Sequence, residues 1–403
     1  QTAGGSQTIT VTAQDASGNT ATSYTGAKNI TFSGATASSS PVTNPTVAGT
    51  NFGTATSLTF TAGVATGSMI LYKAETASVS ASDGSIGSTG GDNLSVLVSA
   101  ASFSKLAVSL TSPQTNGVAF TGTNTLTAQD AYGNTTSFDA SSNNVTVTSS
   151  LTGSISGLSG TNKLTGAGDF TSGVANLTSL GLKFTGTSGS GTFTFTPTTG
   201  TAAVSSAITI NPGAASKLVV TGTGTQTAGG SQTITITAKD AQGNTATTYT
   251  GAKNITFSGA AASSSPVTNP TVAGTNFLTA TSLTFTAGVA TGSMILYKAE
   301  TASVSASDGS IGSTGGDNLS VLVSAASFSK LAVSLTSPQT NGVAFTGTNT
   351  LTAQDAYGNT TSFDASSNNV TVTSSLTGSI SGLSGTNKLT GAGDFTSGVA
   401  NLT

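Results

Sequence analysis

The sequence of 403 residues contains no cysteine, histidine, tryptophan or arginine, and only 6% of its residues are charged. Ser-His-Asp and Cys-His nucleophiles, His or Cys metal sites and arginine clamps on phosphate all need residue types that are missing. Without cysteine there is no disulfide framework, so the stability must come from packed apolar cores. The sequence therefore predicts a protein without enzymatic activity, catalytic residues, cofactor or metal site.

Positive charge and long apolar runs are also scarce. The net charge is −3, and eleven scattered lysines do not form the basic stripe that binds phosphate, so no nucleic-acid partner is expected. No run of 18 apolar residues occurs, which predicts no membrane-spanning segment. Gln1 does not begin a signal peptide, so an exported protein would carry its targeting segment outside this sequence.

Repetition dominates what is present. One eight-residue motif is written four times, as QDASGNTA, QDAYGNTT, KDAQGNTA and QDAYGNTT, with its aspartates at Asp15, Asp130, Asp240 and Asp355. The intervals of 115, 110 and 115 residues suit one small domain each. A longer period of 225 residues relates 1–178 to 226–403 with six differences, namely Val11/Ile236, Gln14/Lys239, Ser17/Gln242, Ser23/Thr248, Thr36/Ala261 and Gly53/Leu278.

The two periods together predict four units of two alternating types, A-B-A-B. The first A unit covers 1–102 and lacks its first strand, and the first B unit covers 103–213. The second A unit covers 214–327, and the second B unit covers 328–403 and lacks its C-terminal strands. We expect the chain to be a window from a longer continuous array. The rival expectation is that a neighbouring subunit donates the missing strands.

Apolar residues alternate with Thr or Ser within each unit. In TITVTAQD, Ile9, Val11 and Ala13 share one face and Thr8, Thr10 and Thr12 share the other. Such period-two segments recur about every ten residues between Gly, Asn and Pro turn signals, and no helical pattern occurs. The fold class is therefore predicted as all-β, with tandem antiparallel β-sandwiches. Asn124 takes the place of Ile9 in the first B unit, which makes the inward pattern there imperfect.

The recurrent motif is predicted to be a structural corner between the second and third strands. Asp130 can accept hydrogen bonds from backbone amides two residues on, and Gly133 supplies a positive φ. A calcium site is the alternative, but it needs several converging oxygen ligands. Loss of this cap in Asp130→Ala is expected to cost about 0.5–2 kcal/mol. Tyr132 and Tyr357 are expected to pack on a neighbouring strand or to lie at a unit junction.

The segment SKLAVSLTSPQTNGVAFTGTNTLTAQDAYGNTT from Ser104, and SKLVVTGTGTQTAGGSQTITITAKDAQGNTATTYTG from Ser216, resemble the tandem immunoglobulin-like repeats of large bacterial cell-surface proteins. The resemblance covers the whole chain, unit by unit. It implies Ig-like sandwiches arranged as an elongated rod, an extracellular or cell-surface location, and no catalytic residues. Such repeats serve as stalks, adhesins and filament subunits alike.

Lysines and acids are the remaining candidates for chemistry. Lys105, Lys217 and Lys330 open their units and are interpreted as solvated or snorkelling lysines at an edge, and no acid lies in the junction segments. Lys73 and Glu75 are interpreted as an exposed ion pair, with a Lys-Asn or Lys-Asp isopeptide crosslink as the alternative. Paired-carboxylate chemistry is not expected of the four loop aspartates Asp83, Asp92, Asp139 and Asp169.

Two functions remain open from the sequence. The first is a structural repeat region of an extracellular filament or cell-surface stalk, which gains length and rigidity by copying. The alternative is a set of adhesin repeats that bind a surface, a glycan or a neighbouring cell. The expected partners are other copies, through self-association or head-to-tail continuation in a fibre, together with a possible surface or cell ligand. Near-identical repeats without a distinctive aromatic or charged patch favour the structural role.

Overall fold

The computed structural model describes every residue from Gln1 to Thr403 and consists almost entirely of β-strands and turns. The chain falls into two compact parts, Gln1–Asn211 and Pro212–Thr403. The helical elements are one α-helical turn, α1 (Leu177–Leu180), and two 3-10 turns, Gly90–Asp92 and Gly315–Asp317. None of these is long or apolar enough to cross a membrane.

The strands of the first part follow the predicted alternation. In the first A unit they are β1 (Ser6–Thr12), β2 (Gly26–Ser33), β3 (Thr46–Val47), β4 (Thr50–Asn51), β5 (Ala55–Phe60), β6 (Val64–Ile70), β7 (Thr76–Ser82) and β8 (Leu94–Leu97). In the first B unit they are β9 (Lys105–Ser109), β10 (Gln114–Thr115), β11 (Thr125–Gln129), β12 (Val145–Ser149), β13 (Gly153–Ser156), β14 (Lys163–Leu164), β15 (Val174–Asn176), β16 (Lys183–Gly186), β17 (Gly189–Gly191), β18 (Phe193–Pro197), β19 (Ala203–Val204) and β20 (Ile208–Asn211).

The second part repeats this series. In the second A unit the strands are β21 (Lys217–Thr221), β22 (Thr225–Thr227), β23 (Ser231–Lys239), β24 (Gly251–Ser258), β25 (Thr271–Val272), β26 (Thr275–Asn276), β27 (Ala280–Phe285), β28 (Val289–Ile295), β29 (Thr301–Ser307) and β30 (Leu319–Ser324). In the second B unit they are β31 (Lys330–Ser334), β32 (Thr350–Gln354), β33 (Val370–Thr371), β34 (Lys388–Leu389) and β35 (Val399–Asn401).

Two five-stranded sheets enclose the core of the second A unit. Their strand orders are β21-β23-β28-β25-β26 and β22-β30-β29-β24-β27. Neighbouring strands are antiparallel except for the short β22, which pairs parallel to β30, just as β10 pairs parallel to β20 in the first B unit. The predicted all-β class with packed antiparallel sheets is confirmed.

The Thr-apolar alternation sorts inward and outward side chains as predicted. In β23, Ile234, Ile236 and Ala238 are fully buried while the intervening threonines face outward. In β1, Ile9 is buried, Val11 is half-buried, and Thr8, Thr10 and Thr12 lie on the opposite, more exposed face. Burial of this one face supplies the main driving force for packing the sheets, because each fully buried aliphatic side chain contributes about 1.5–3 kcal/mol.

Four separate apolar cores run along the chain. They draw on buried residues between Ala3 and Val98, Leu106 and Ile210, Leu218 and Val323, and Leu351 and Ala400. The boundaries of the four units at residues 102, 213 and 327 stay a prediction.

Asn124 lies directly before β11 and interrupts the apolar face there, but its polar side-chain atoms have hydrogen-bond partners. Its Oδ1 accepts the Thr111 N–H at 2.8 Å, and its Nδ2 donates to the Thr121 carbonyl and to Thr178 Oγ1, both at 2.9 Å. A fully buried amide is tolerated when its donors and acceptors are satisfied. The imperfection in the sequence pattern is thus a buried hydrogen-bonded link.

Candidate functional site at the junction of A and B units

The motif QDAYGNTT forms the predicted corner. Asp130 Oδ1 accepts hydrogen bonds from the N–H groups of Tyr132 and Asn134, each at 2.9 Å. Gly133 has φ +87°, and Gln129 bridges to Thr135 as in a hairpin. The corner follows β11, the third strand of its unit, so the prediction that it joins the second and third strands is wrong. The two-residue strand β10, which is too short for a periodic pattern, accounts for the difference.

The second carboxylate oxygen of Asp130 holds the segment that enters the B unit. Asp130 Oδ2 accepts the Ala101 N–H at 2.9 Å and the Asn134 Nδ2 at 2.8 Å. Thr136 Oγ1 adds a 2.8 Å hydrogen bond to the Ala101 carbonyl. Asp130 is fully buried by these contacts. The junction segment itself carries no acid, as its sequence shows, but the corner places one against it.

Asn134 extends the corner into the preceding A unit. Its Oδ1 accepts the Ala74 N–H at 2.7 Å, and its Nδ2 donates to the Tyr72 carbonyl at 2.8 Å. These groups lie directly after β6, where the backbone leaves the sheet and its polar groups need partners. One side chain therefore satisfies the corner of the B unit and the backbone of the A unit together.

Tyr132 is the aromatic anchor of the same contact. Its ring packs against the core of the first A unit and lies 4.9 Å from the Tyr72 ring, at an interplanar angle of 60°. Its carbonyl accepts the Ser40 N–H at 3.2 Å. A Cβ placed on Gly4 would lie 2.2 Å from the Tyr132 hydroxyl oxygen, so glycine at position 4 makes room for the ring.

Lys105 also crosses from the B unit to the A unit. Its Nζ donates to the carbonyl of Ser40 and lies 3.3 Å from Ser40 Oγ. Lys330 makes the same contacts with Ser265. Lys217, by contrast, forms an ion pair of 3.0 Å with Asp317 inside its own unit. Lys105, Lys217 and Lys330 lie on the edge strands of their sheets and are only half-buried, as interpreted from the sequence. Each also has an oxygen partner that the linear sequence does not place nearby.

The second A and B units repeat the junction. Asp355 accepts the N–H groups of Ala326, Tyr357 and Asn359, each at 2.9 Å. Asn359 Oδ1 accepts the Ala299 N–H at 2.7 Å, and Asn359 Nδ2 donates to the Tyr297 carbonyl at 2.8 Å. The rings of Tyr357 and Tyr297 are 5.0 Å apart. We call this set of contacts the corner clamp; it consists of Lys105, Asp130, Tyr132 and Asn134 in one copy and Lys330, Asp355, Tyr357 and Asn359 in the other.

The A-type corners share the turn but lack the aromatic anchor. Asp240 accepts the N–H groups of Gln242 and Asn244, and its other oxygen accepts the Gly213 N–H at 2.9 Å. Asp15 makes the corresponding bonds to Ser17 and Asn19 in an exposed setting. Tyr132 in the motif is the sequence signal for the aromatic contact. No sequence signal indicates the contacts that Asn134 and Lys105 make.

Electrostatics of the buried corner carboxylates follow from these donors. Burial by itself raises the pKa of Asp355, but hydrogen bonds from the Asn359 side chain and from backbone amides outweigh it and leave the pKa below its usual value. The pKa of Asp240 is lowered in the same way against the same effect of burial. Both carboxylates are therefore ionised at neutral pH and act as acceptors.

The other sequence candidates stay apart from one another. Lys73 and Glu75 form the predicted exposed pair at 3.4 Å. Asp83 caps its own loop through the N–H groups of Ser85 and Ile86, both at 2.8 Å, and Asp139 caps Ser141 at 2.8 Å. Asp169 accepts from Ser159 Oγ and Gly166 N–H. No group of three or more acidic, His or Cys side chains is placed to hold a metal ion.

No lysine side chain is in a position that supports the isopeptide alternative. Such a bond needs a lysine in an apolar core, and all eleven lysines are exposed or only half-buried. The lysine positions therefore favour the ion-pair interpretation of Lys73 and Glu75 over a crosslink.

No protein-family model and no curated protein sequence matches the chain. Solved structures with similarity include InvD of Yersinia pseudotuberculosis, at 18% identity and TM-score 0.28, covering 63% of this chain and 71% of that one. Domains 1–6 of the surface layer protein SbsC align at 15% identity and TM-score 0.25, covering 93% of this chain and 46% of that one. The adhesin InvE of Yersinia pseudotuberculosis aligns at 18% identity and TM-score 0.22, covering 54% of this chain and 57% of that one.

The chain spans less than two thirds of the SbsC and InvE structures that it matches. SbsC is a surface layer protein and InvE is an adhesin, and at 15–18% identity the likeness of these structures to the chain concerns the fold alone.

Proposed function

We propose that the chain is a structural repeat region of an extracellular filament or cell-surface stalk, in which tandem β-sandwiches provide length and stiffness. The corner clamp is the observation that carries this proposal. A stalk needs junctions that resist bending, and neighbouring domains move relative to each other unless contacts between them prevent it. Here a buried carboxylate, an amide and a tyrosine of the B unit fix the backbone of the A unit.

Composition supports the same role. The residue types of most catalytic centres are missing, and the acids that remain are engaged in turns, caps and ion pairs. The surface is formed mainly by Thr, Ser, Asn and Gly, which keep a repeated protein soluble without offering charged or aromatic anchors for a ligand. We therefore propose that the protein has no enzymatic activity and acts outside the cell.

The test is the stiffness of the junction between the first A and B units. Because the chain has no cysteine, Thr10→Cys with Thr196→Cys gives two specific label sites, both exposed, one in each unit. Pulsed electron resonance should then give a single narrow distance distribution. Adding Tyr132→Ala and Asn134→Ala should broaden it, whereas Asn19→Ala, at the matching corner residue of the first A unit, should leave it narrow.

A broad distribution in the chain that has only the two label sites would contradict a stiffening role. The adhesin alternative makes a different prediction, namely saturable binding of the chain to a surface or glycan that survives Tyr132→Ala and Asn134→Ala.

A further inference from the structure

Strand β5 of the first A unit has an open edge. It pairs on one side with β2, in a register from Ala55↔Thr31 to Phe60↔Gly26, and no backbone hydrogen bond joins its other side to any strand. Every second residue of an edge strand presents its N–H and C=O groups outward. The strand has six residues, so this open edge is about 20 Å long. Strand β27 repeats the arrangement against β24.

In the second A unit, the other edges are short or covered. Strands β22 and β26 have three and two residues. Strand β21 begins with Lys217 in its ion pair to Asp317, and its Leu218 N–H donates to the Gly312 carbonyl at 3.2 Å. In the B unit, the edge strand β9 is covered by Thr201, whose carbonyl accepts the Leu106 N–H at 3.0 Å. The edges of β5 and β27 are thus left without the usual protection.

The side chains along this edge suit a strand of the same sequence. From Gly53 to Phe60, and from Leu278 to Phe285, there is no charged residue and no proline. The outward residues of β5 are Ala55, Ser57 and Thr59, which are small and exposed, while the intervening Thr56, Leu58 and Phe60 are buried. An antiparallel pair centred on Ser57 would place Ala55 opposite Thr59, with no like charges facing each other and the inward and outward faces matched.

We propose that β5 and β27 are self-association edges through which a second copy of this chain adds its own β5 or β27 in antiparallel pairing. The four-stranded sheet β5-β2-β7-β8 would then continue into the sheet of the neighbouring copy. Each contact is small. Because the chain has two such edges, two copies that engage both of them bind with greater avidity than through one edge alone. This inference goes beyond the proposed function, since it concerns lateral pairing of copies rather than length.

The lack of cysteine allows a direct test by crosslinking. In Ser57→Cys the only thiol would face its own counterpart across the two-fold pair, where Cα atoms about 4.5–5.5 Å apart permit a disulfide. Asn29→Cys is the matched control, because Asn29 is also exposed and pairs with Ser57 on the same face, but lies on the inner strand β2. Under mild oxidation, Ser57→Cys should form a covalent dimer about tenfold faster than Asn29→Cys. Equal rates would overturn the proposal.

A charge variant tests association without a crosslink. The chain itself should show concentration-dependent dimers by sedimentation, and Ser57→Lys with Ser282→Lys should remove them, because a lysine protects an edge by repulsion and solvation. Asn29→Lys with Asn254→Lys adds the same charge to the central strands and should leave the dimers intact. A chain that stays monomeric at every concentration, or dimers that survive the edge lysines, would overturn the proposal. Unchanged melting temperatures would exclude unfolding as the cause.

Discussion

The side-chain oxygen of Asn134 accepts a hydrogen bond from the backbone amide of Ala74 at 2.7 Å, across 60 residues of sequence. Asn134→Ala should leave this amide and the Tyr72 carbonyl without partners in a part-buried site. The free energy of local opening should therefore fall by about 1–3 kcal/mol. Amide hydrogen exchange at Ala74 measures this directly.

Asn19→Ala is the control for that substitution, since Asn19 occupies the equivalent corner position, is exposed and donates only to Asp15. Asn19→Ala should change the free energy of unfolding by no more than about 0.5 kcal/mol. Unchanged exchange at Ala74 in Asn134→Ala would show that the bridge does not hold the two units together.

Asp130→Ala should destabilise the protein more than the sequence alone predicts. The substitution leaves the N–H groups of Ala101, Tyr132 and Asn134 without their acceptor in a buried site, at an expected cost of about 2–4 kcal/mol in free energy of unfolding. Asp15→Ala, whose partners are exposed to water, should cost about 0.5–2 kcal/mol. Denaturant unfolding of both variants gives the comparison, and equal costs would contradict the role of burial.

Calcium provides a separate check on the corner. The melting temperature should be the same with a chelator and with added calcium, because the carboxylate oxygens of Asp130 are already taken by N–H donors. A rise with calcium that disappears in Asp130→Ala would show that the corner is a metal site instead.

The hydrogen bond between Tyr24 and Asp83 predicts a defined pH dependence. Its length is 2.5 Å, and desolvation together with this bond raises the pKa of Tyr24 to about 12. The amide of Ile86, the Tyr24 hydroxyl and the amide of Ser85 lower the pKa of Asp83 to about 2. The tyrosine contribution is complete below its unfolded pKa near 10 and is lost as pH rises toward 12; the aspartate contribution is complete above about pH 4 and is lost as pH falls toward 2.

Melting temperatures of the wild type and of a variant without the hydrogen bond, measured from acid to alkaline pH, should reveal the pH range in which the bond stabilises the protein. Relative to the wild type, Tyr24→Phe with Tyr249→Phe should be less stable by a constant amount between about pH 5 and 9. The difference in stability between the wild type and the variant should become smaller below and above this pH range. A difference that does not change with pH would mean that packing of the ring, rather than the hydrogen bond, accounts for the loss.

Leu278 replaces Gly53 between the two A units and has φ +67°, while Gly53 has φ +82°. The leucine side chain is 78% exposed, so it gains little from packing, and a left-handed conformation is unfavourable for any residue with a Cβ. Leu278→Gly should stabilise the protein by about 0.5–1 kcal/mol after the greater flexibility of unfolded glycine is included. Gly53→Leu, where no neighbouring atom lies within 4 Å of the added Cβ, should destabilise by a similar amount. Thermal unfolding of the two single variants should show opposite shifts.

The sequence was sufficient for the fold class because period two is a local signal. The alternation around Ile9 and Ala13 fixed which face is buried, and the Asp-x-x-Gly spacing fixed the turn at Asp130. The partners of Lys105 and Asn134 could not be predicted in this way. Ser40 precedes Lys105 by 65 residues and Ala74 precedes Asn134 by 60, and nothing in the linear pattern encodes such pairings.

Short strands were the other limit. A two-residue strand such as β10 is too brief to show an alternation, so the sequence pattern places the corner one strand too early. Asn124 was recognised as a break in the apolar face, but its partners Thr111, Thr121 and Thr178 come from three different segments. Buried polar links of this kind depend on tertiary geometry.

The corner clamp also sets an order of events during synthesis. Asn134 follows Val98, the last buried residue of the first core, by 36 residues, which a ribosome adds in about 2–7 s at 5–20 residues per second. The Ala74 amide and the Tyr72 carbonyl, which Asn134 binds, and all residues of the first core have by then been made. The core residues of each A unit thus precede the B unit that closes the join, so assembly runs from the N-terminus toward the C-terminus.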